Sequence, residues 1–142
     1  MKVRDIMTHN VIGVGAEESV EVAARTLTQY NIGALPVLGG DGKLCGMVTD
    51  RDLVIRCMAA GRPADKTRVR QVMSGSVTSA RPDMDVGAAA HLMGRLQIRR
   101  LPVTENGKLC GMISLGDMAV LEDCVMDAAD ALADITSNIS ER

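Results

Sequence analysis

Leu35-Pro36-Val37, followed by Gly42-Lys43-Leu44-Cys45-Gly46-Met47-Val48-Thr49 and Asp52, returns as Leu101-Pro102-Val103, Gly107-Lys108-Leu109-Cys110-Gly111-Met112-Ile113-Ser114 and Asp117. Val3-Arg4 and Met7 likewise return as Val69-Arg70 and Met73. The displacement is 66 residues from Leu35 to Leu101 but 65 from Cys45 to Cys110, so one turn residue is missing from the second copy. Each copy spans roughly 65 residues, near the size at which a lone hydrophobic core is marginal, so the copies are expected to share one. Two units are too few for a solenoid, which needs about three to bury its faces, and pseudo-twofold pairing is the alternative.

Outward from these motifs, Val20, Ala23, Ala24 and Leu27 fall on one helical stripe, and Val86, Ala89, Ala90 and Met93 repeat it. Ser19 and Asp85 precede the stripes as candidate N-caps. Both helices should end near Tyr30-Asn31 and Leu96-Gln97. The Leu-Pro-Val runs then read as strands, with proline tolerated at an edge or a strand start. Asp41-Gly42 and Asn106-Gly107 between apolar runs signal hairpins. A further helix is expected from Asp50 to about Ala60 and from about Leu115 onward, and one more short strand at Val11 to Val14 and at Val77 to Ala80. The fold class is therefore α/β (α+β): a short strand, a helix, a hairpin and a helix, twice. The boundaries fall at 1–61 for the first repeat, 62–68 for a connector, 69–121 for the second repeat and 122–142 for a C-terminal amphipathic helix and tail.

A net charge of −2 argues against a dedicated nucleic-acid binder, and a single aromatic residue, Tyr30, leaves no platform for stacking bases. No run approaches the roughly 18 apolar residues of a membrane span, and the first residues carry no apolar leader, so a cytoplasmic location is expected. Cys45, Cys57, Cys110 and Cys124 form no C-x-x-C pair and read as buried thiols. His9 and His91 occupy unmatched positions, so no symmetric metal site is expected. Arg62, Lys66, Arg68 and Arg70 make a basic run that is a solvated linker or a phosphate contact.

The chemistry should lie in Thr49-Asp50-Arg51-Asp52 and Ser114-Leu115-Gly116-Asp117, where a hydroxyl and a carboxylate stand three residues apart at a strand-to-helix passage. A capping box explains that spacing structurally, although its acid is usually Glu or Gln. The functional alternative uses the hydroxyl and free backbone donors for a phosphate, with the carboxylate accepting from the hydroxyls of a ribose. Nothing supplies a nucleophile and base pair, a metal cluster or a glycine-rich phosphate loop, so no enzyme is expected.

Taken together, the Asp-Ile-Met and Gln-Val-Met openings, the Ala-rich helix, Leu-Pro-Val, Gly-Lys-Leu-Cys-Gly-Met and Thr/Ser-x-x-Asp resemble a tandem pair of cystathionine β-synthase (CBS) domains, a Bateman module, over about residues 1 to 121. The resemblance implies two βαββα repeats with pseudo-twofold symmetry and clefts between them for AMP, ADP, ATP or S-adenosylmethionine, with no obligatory cofactor. It gives Asp52 and Asp117 to the ribose, and Thr49 and Ser114 to phosphate or sugar. His9-Asn10-Val11 and Gly75-Ser76-Val77 would contact the base, while Ile32-Gly33-Ala34 and Ile98-Arg99-Arg100 would line the walls. Arg51, Arg99 and Arg100 have no like partner in the other repeat and imply unequal sites, or are surface charges. A stand-alone sensor signalling to an unknown effector is the function implied; an assembly protein with degenerate sites is the alternative.

Beyond the repeat, Leu121, Val125, Ala128, Leu132, Ile135 and Ile139 are spaced 4, 3, 4, 3 and 4, with Glu122, Asp123, Asp127, Asp130 and Asp134 between them. This short coiled-coil seam is expected to pair with a second subunit, giving a homodimer, or otherwise to fold back on its own body.

Overall fold

The computed structural model describes residues 1–121 and 124–140, with side chains as far as Ser137. Glu122, Asp123 and the Ile139 side chain lie outside the described residues. In order the elements are α1 (Val3–Ile6), β1 (Val14–Gly15), α2 (Val20–Tyr30), β2 (Ala34–Leu38), β3 (Leu44–Thr49), α3 (Asp50–Asp52, continued as a π-helix over Leu53–Met58), a 3₁₀ turn (Val69–Gln71), α4 (Val86–Leu96), β4 (Arg100–Glu105), β5 (Lys108–Ser114), α5 (Leu115–Ala119) and α6 (Val125–Ser140).

The chain divides into two compact units, one from Ile12 to Val77 and the other made of Met1–Val11 with the chain from Thr78 on. These differ from the sequence repeats by an exchange of leading segments. In the Ile12–Val77 unit, Met47 and Ser74 exchange two backbone hydrogen bonds of 3.0 and 2.9 Å; in the other, Thr8 and Met112 exchange two of 2.8 and 3.0 Å. The repeated glycine of Cys-Gly-Met permits both crossings. A Cβ on Gly46 would stand 2.7 Å from the Ser74 carbonyl oxygen and 2.6 Å from Met73 Sδ, and one on Gly111 would stand 2.5 Å from Met7 Sδ.

In the Ile12–Val77 unit the sheet order is β1-β2-β3, with β1 parallel and β3 antiparallel to β2. Pro36 lies in the middle strand, but β1 pairs only with Val37 and Leu38, so no ladder bond is lost at the proline. The expected strand at Val11 to Val14 shrinks to Val14–Gly15. Leu35, Val37 and Val48 turn inward onto Val20, Ala23 and Leu27 of α2, where they join Val69 and Val72 from the exchanged segment. Ser19 caps α2 by accepting from the Val22 N–H at 3.2 Å, and Asn31 ends it in the left-handed region.

The second unit pairs β4 with β5 through Asn106-Gly107, both at positive φ (54° and 80°), as a two-residue hairpin of the I′ kind requires. The expected strand at Val77 to Ala80 reduces to one bridge between Ala80 and Val103. Asp85 occupies the N-cap position of α4, but its carboxylate bonds Lys2 Nζ at 2.9 Å instead of capping. Val3 is fully buried beside Leu101, Val103 and Ile113. With no Phe or Trp, both cores are built mainly from Val, Leu and Ala, with Cys57 in one and Met93, Met118, Ile113, Ile135 and Cys124 in the other, each large aliphatic side chain contributing about 1.5–3 kcal/mol on burial.

Helix α6 folds back on α4 and α5. Its buried residues are Ala128, Ala131 and Ile135, with Cys124 buried just before it, whereas Val125 and Leu132 stay 45% and 44% exposed. The seam expected at Val125, Ala128 and Leu132 is thus rotated toward alanines. Close approach explains the rotation: a Cβ on Gly94 would meet Asp134 Oδ2 at 2.9 Å and Ala131 Cα at 3.2 Å, so only a glycine and small inward side chains fit. The α2 positions matching Gly87 and Gly94 hold Glu21 and Thr28.

Candidate functional site

Each strand-to-helix passage is locally over-determined. Thr49 and Ser114 end their strands in extended backbone and serve at once as N-caps, accepting at 3.1 Å from the N–H of Asp52 and of Asp117. The loop before each Leu-Pro-Val is fastened to the same place, because Gly33 O accepts from Asp50 N and Arg99 O from Leu115 N, both at 3.0 Å. Register then sets Ala34 opposite Thr49 and Arg100 opposite Ser114. The structure therefore brings Ile32-Gly33-Ala34 to Thr49, Arg51 and Asp52, and Ile98-Arg99-Arg100 to Ser114, Gly116 and Asp117.

Each of the other two candidate segments follows a bridge made within one unit. His9-Asn10-Val11 follows Thr8, which bridges Met112 two residues before Ser114, and Gly75-Ser76-Val77 follows Ser74, which bridges Met47 two residues before Thr49. His9, Asn10, Gly75 and Ser76 are exposed, and Val11 and Val77 half-buried.

Two matching acids have unlike surroundings. Asp52 completes a capping box: Oδ2 accepts from the Thr49 N–H at 2.9 Å, and Oδ1 lies 3.9 Å from Arg56 Nε. Its side chain is 17% exposed. Sequence reasoning named Arg51 as the companion cation, but the Arg51 side chain is exposed and Arg56, one helical turn beyond Asp52, makes the pair. The i, i+4 spacing from Asp52 was the signal that could have found it. Asp117 is exposed, and among the described residues no hydrogen bond or ion pair holds its carboxylate.

Charge follows the same asymmetry. In the first unit Gly33 faces the Asp50 carboxylate, whose Oδ2 would lie 3.5 Å from a Cβ there. In the second, Leu115 replaces Asp50, and Arg99 and Arg100 replace Gly33 and Ala34. Both arginines are exposed and form no ion pair among the described residues. They border a cavity of about 500 Å³ with Ser114, Leu115, Gly116 and Ala119, closed on its far side by Val125, Ala128, Ala129 and Leu132 of α6. That volume lies within the roughly 300–1,000 Å³ of small-molecule pockets. Such a recess can hold an anion at its arginine end and an apolar body against the helix. The α6 wall was missed because it comes from outside the repeated text.

Cys45, Cys57 and Cys110 are free thiols; Cys57 and Cys124 are buried and Cys45 and Cys110 partly so. Burial foremost, then the charges of Asp41 and Glu105, pushes the Cys45 and Cys110 thiols above their ordinary value. Among the described residues no three His, Cys, Asp or Glu side chains gather as metal ligands, and no helix is long and apolar enough to cross a membrane.

A family model described as the CBS domain matches residues 3–58 and 69–121. The CBS domain-containing protein YhcV of Bacillus subtilis (strain 168) is 40% identical over 134 residues, covering 94% of each chain. A structure of Hypoxic Response Protein I with two coordinated zinc ions superposes with a TM-score of 0.78 at 33% identity, over 84% of this chain and 97% of that one. The CBS domain pair of protein MJ0100, in complex with 5′-methylthioadenosine and S-adenosyl-L-methionine, gives 0.74 at 27% identity, over 85% and 94%. The zinc belongs to the first of those structures; the described side chains of this chain bring no ligand set together for it.

Proposed function

This chain belongs to the CBS-domain family, and from that premise we propose that it is a non-catalytic regulatory module that binds an adenosine-containing ligand at Ser114, Asp117, Arg99 and Arg100. The unpaired arginines beside Ser114, with the free Asp117 carboxylate at hand, carry this reading. The ligand class is AMP, ADP, ATP or S-adenosylmethionine; the adenosyl compounds on the MJ0100 domain pair favour it. Arg99 and Arg100 take the anionic group. Ser114 Oγ already accepts from Asp117 N, which leaves its O–H to donate to the same anion. Asp117 accepts from the ribose hydroxyls. His9, Asn10 and Val11 lie in the same unit for the base.

The matching set in the other unit, Thr49, Arg51 and Asp52 with Ile32, Gly33, Ala34, Gly75, Ser76 and Val77, is the weaker site, because a ribose must displace Asp52 from its capping box. Signalling requires that the ligand bind two arrangements of the protein with different affinity. The module acts as a cytoplasmic homodimer on an effector protein. An assembly role with degenerate sites is the second reading, favoured by the self-satisfied Thr49 and Asp52 pair.

Titration of AMP, ADP, ATP and S-adenosylmethionine, read as a rise in melting temperature and by calorimetry, tests the proposal. Binding lost in Asp117→Asn and in Arg99→Ala/Arg100→Ala, but kept in Asp52→Asn, is the expected outcome. Absence of binding by all four compounds below about 1 mM selects the assembly reading.

A further inference from the structure

We infer that α6 is a responsive wall of the site at Ser114, Arg99 and Arg100: Val125 and Leu132 touch the bound ligand, and occupancy holds α6 against its unit, a response that rests on the adenosyl-ligand reading above. Two neighbouring stripes run along the helix. Ala128, Ala131 and Ile135 make the buried one. Val125, Ala128, Ala129 and Leu132, at i, i+3, i+4 and i+7, make the other and line the recess of about 500 Å³ together with Arg99, Arg100 and Ser114. The first stripe seats α6 on α4 and α5. The second offers Val125 and Leu132, 45% and 44% exposed, to an occupant of the recess. That role accounts for two apolar side chains that the packing of the helix leaves half in water.

The seat is light. Ile135 is the one long side chain among the buried residues of α6, and Asp127, Asp130 and Asp134 form no ion pair among the described residues. A helix held by so little apolar area opens ahead of the rest of its unit. When α6 lifts, Val125 and Leu132 leave the recess, while Arg99, Arg100 and Ser114 stay with β4, β5 and the loop before them. A ligand touching both walls therefore binds the seated arrangement more tightly, which is the differential affinity a sensor needs. Linkage makes the effect reciprocal: the factor by which the seated helix raises affinity is the factor by which the ligand favours seating. The Ile12–Val77 unit contains no counterpart of α6 among the described residues, so the response belongs to the Ser114 site.

Calorimetry and hydrogen exchange of the full chain with AMP, ADP, ATP and S-adenosylmethionine, each up to about 1 mM, test this. For a compound that binds, Leu132→Ala should weaken affinity about threefold or more, and Gly94→Leu, which lifts the seated helix, about tenfold or more. Met126→Ala, 73% exposed and outside the recess, should leave affinity unchanged. Melts of unliganded Leu132→Ala should stay close to the parent, because that side chain is half exposed. On binding, α6 amides should slow at least about tenfold in the parent, and by less in Leu132→Ala compared at the same ratio of ligand to Kd. A compound that binds without slowing α6, or with an affinity indifferent to Leu132→Ala or to Gly94→Leu, overturns the inference alone. Binding by none of the four below about 1 mM overturns it together with the ligand reading.

Discussion

Replacing Gly46 by alanine should cost more than the same change at Gly111, although the two glycines are one repeat position. At Gly46 the new methyl meets a backbone atom, the Ser74 carbonyl oxygen at 2.7 Å, and that oxygen accepts one of the two bonds joining Met47 to Ser74. Relieving the overlap moves the crossing segment and weakens both bonds. Overpacking contributes about 1–3 kcal/mol and each lost bond about 1 kcal/mol, against about 0.4–1 kcal/mol gained by stiffening the unfolded chain; the net is about 2–4 kcal/mol. At Gly111 the tightest neighbours are the Sδ and Cγ atoms of Met7, at 2.5 and 3.0 Å, while the Thr8 carbonyl oxygen stands off at 3.1 Å. A methionine can rotate away, so the cost is about 1–2 kcal/mol. Urea unfolding followed by far-UV circular dichroism is the assay, since a chain with one Tyr and no Trp offers little fluorescence. Met7→Ala should largely rescue Gly111→Ala in a double-mutant cycle, whereas Met73→Ala should leave most of the Gly46→Ala loss in place. A Gly46→Ala cost below about 0.5 kcal/mol, or the reverse order, would refute the steric argument.

The remaining expectations concern the helix cover, the caps and two titrations. Gly94→Leu should lift α6 from α4, lowering stability by about 1–3 kcal/mol and raising hydrogen exchange in α6 far more than in α2. Asp52→Ala should cost about 0.5–2 kcal/mol through loss of its cap, and Asp117→Ala close to nothing, in the same urea titration. The raised thiols of Cys45 and Cys110 stabilise the fold below the ordinary cysteine value of about 8.5, and that contribution is lost as pH rises through their folded values. Labelling by a disulfide reagent at pH 8 should accordingly be slower in the folded than in the urea-unfolded chain. The Lys2 hydrogen bond, then its charge, holds the Asp85 carboxyl below its usual value. Its contribution is present above the ordinary aspartate value of about 3.9 and fades as pH falls through the folded value; carbon NMR of Lys2→Gln should return Asp85 to the ordinary range.

Where signals were local, the sequence was readable. The stripes at Val20 and Val86, the Asn106-Gly107 turn and the passages at Thr49 and Ser114 each depend on residues within one or two turns of one another. What escaped was set by distant partners. Asp85 is a good cap by identity, but Lys2, 83 residues away, takes its carboxylate. Val125 and Leu132 suit a helix seam by spacing, yet Gly94 admits a closer packing that favours Ala128 and Ala131. The acids at 52 and 117 look alike in the text, and only Arg56 and the completed capping box separate them. Legibility of the candidate site ended where side chains outside the motif decide which carboxylate is free.

The exchange of leading segments also orders events on the ribosome. Residues 12–77 form one uninterrupted stretch, so that unit has all its parts once Val77 has been added. Val3 and Met7, which precede that stretch, have no seat until Met112 and Ile113 are joined to the chain. At about 5–20 residues per second Val3 and Met7 wait several seconds for these partners while residues 12–77 fold. Val3 and Met7 are therefore placed later than Ile12–Val77, the residues that follow them in the chain.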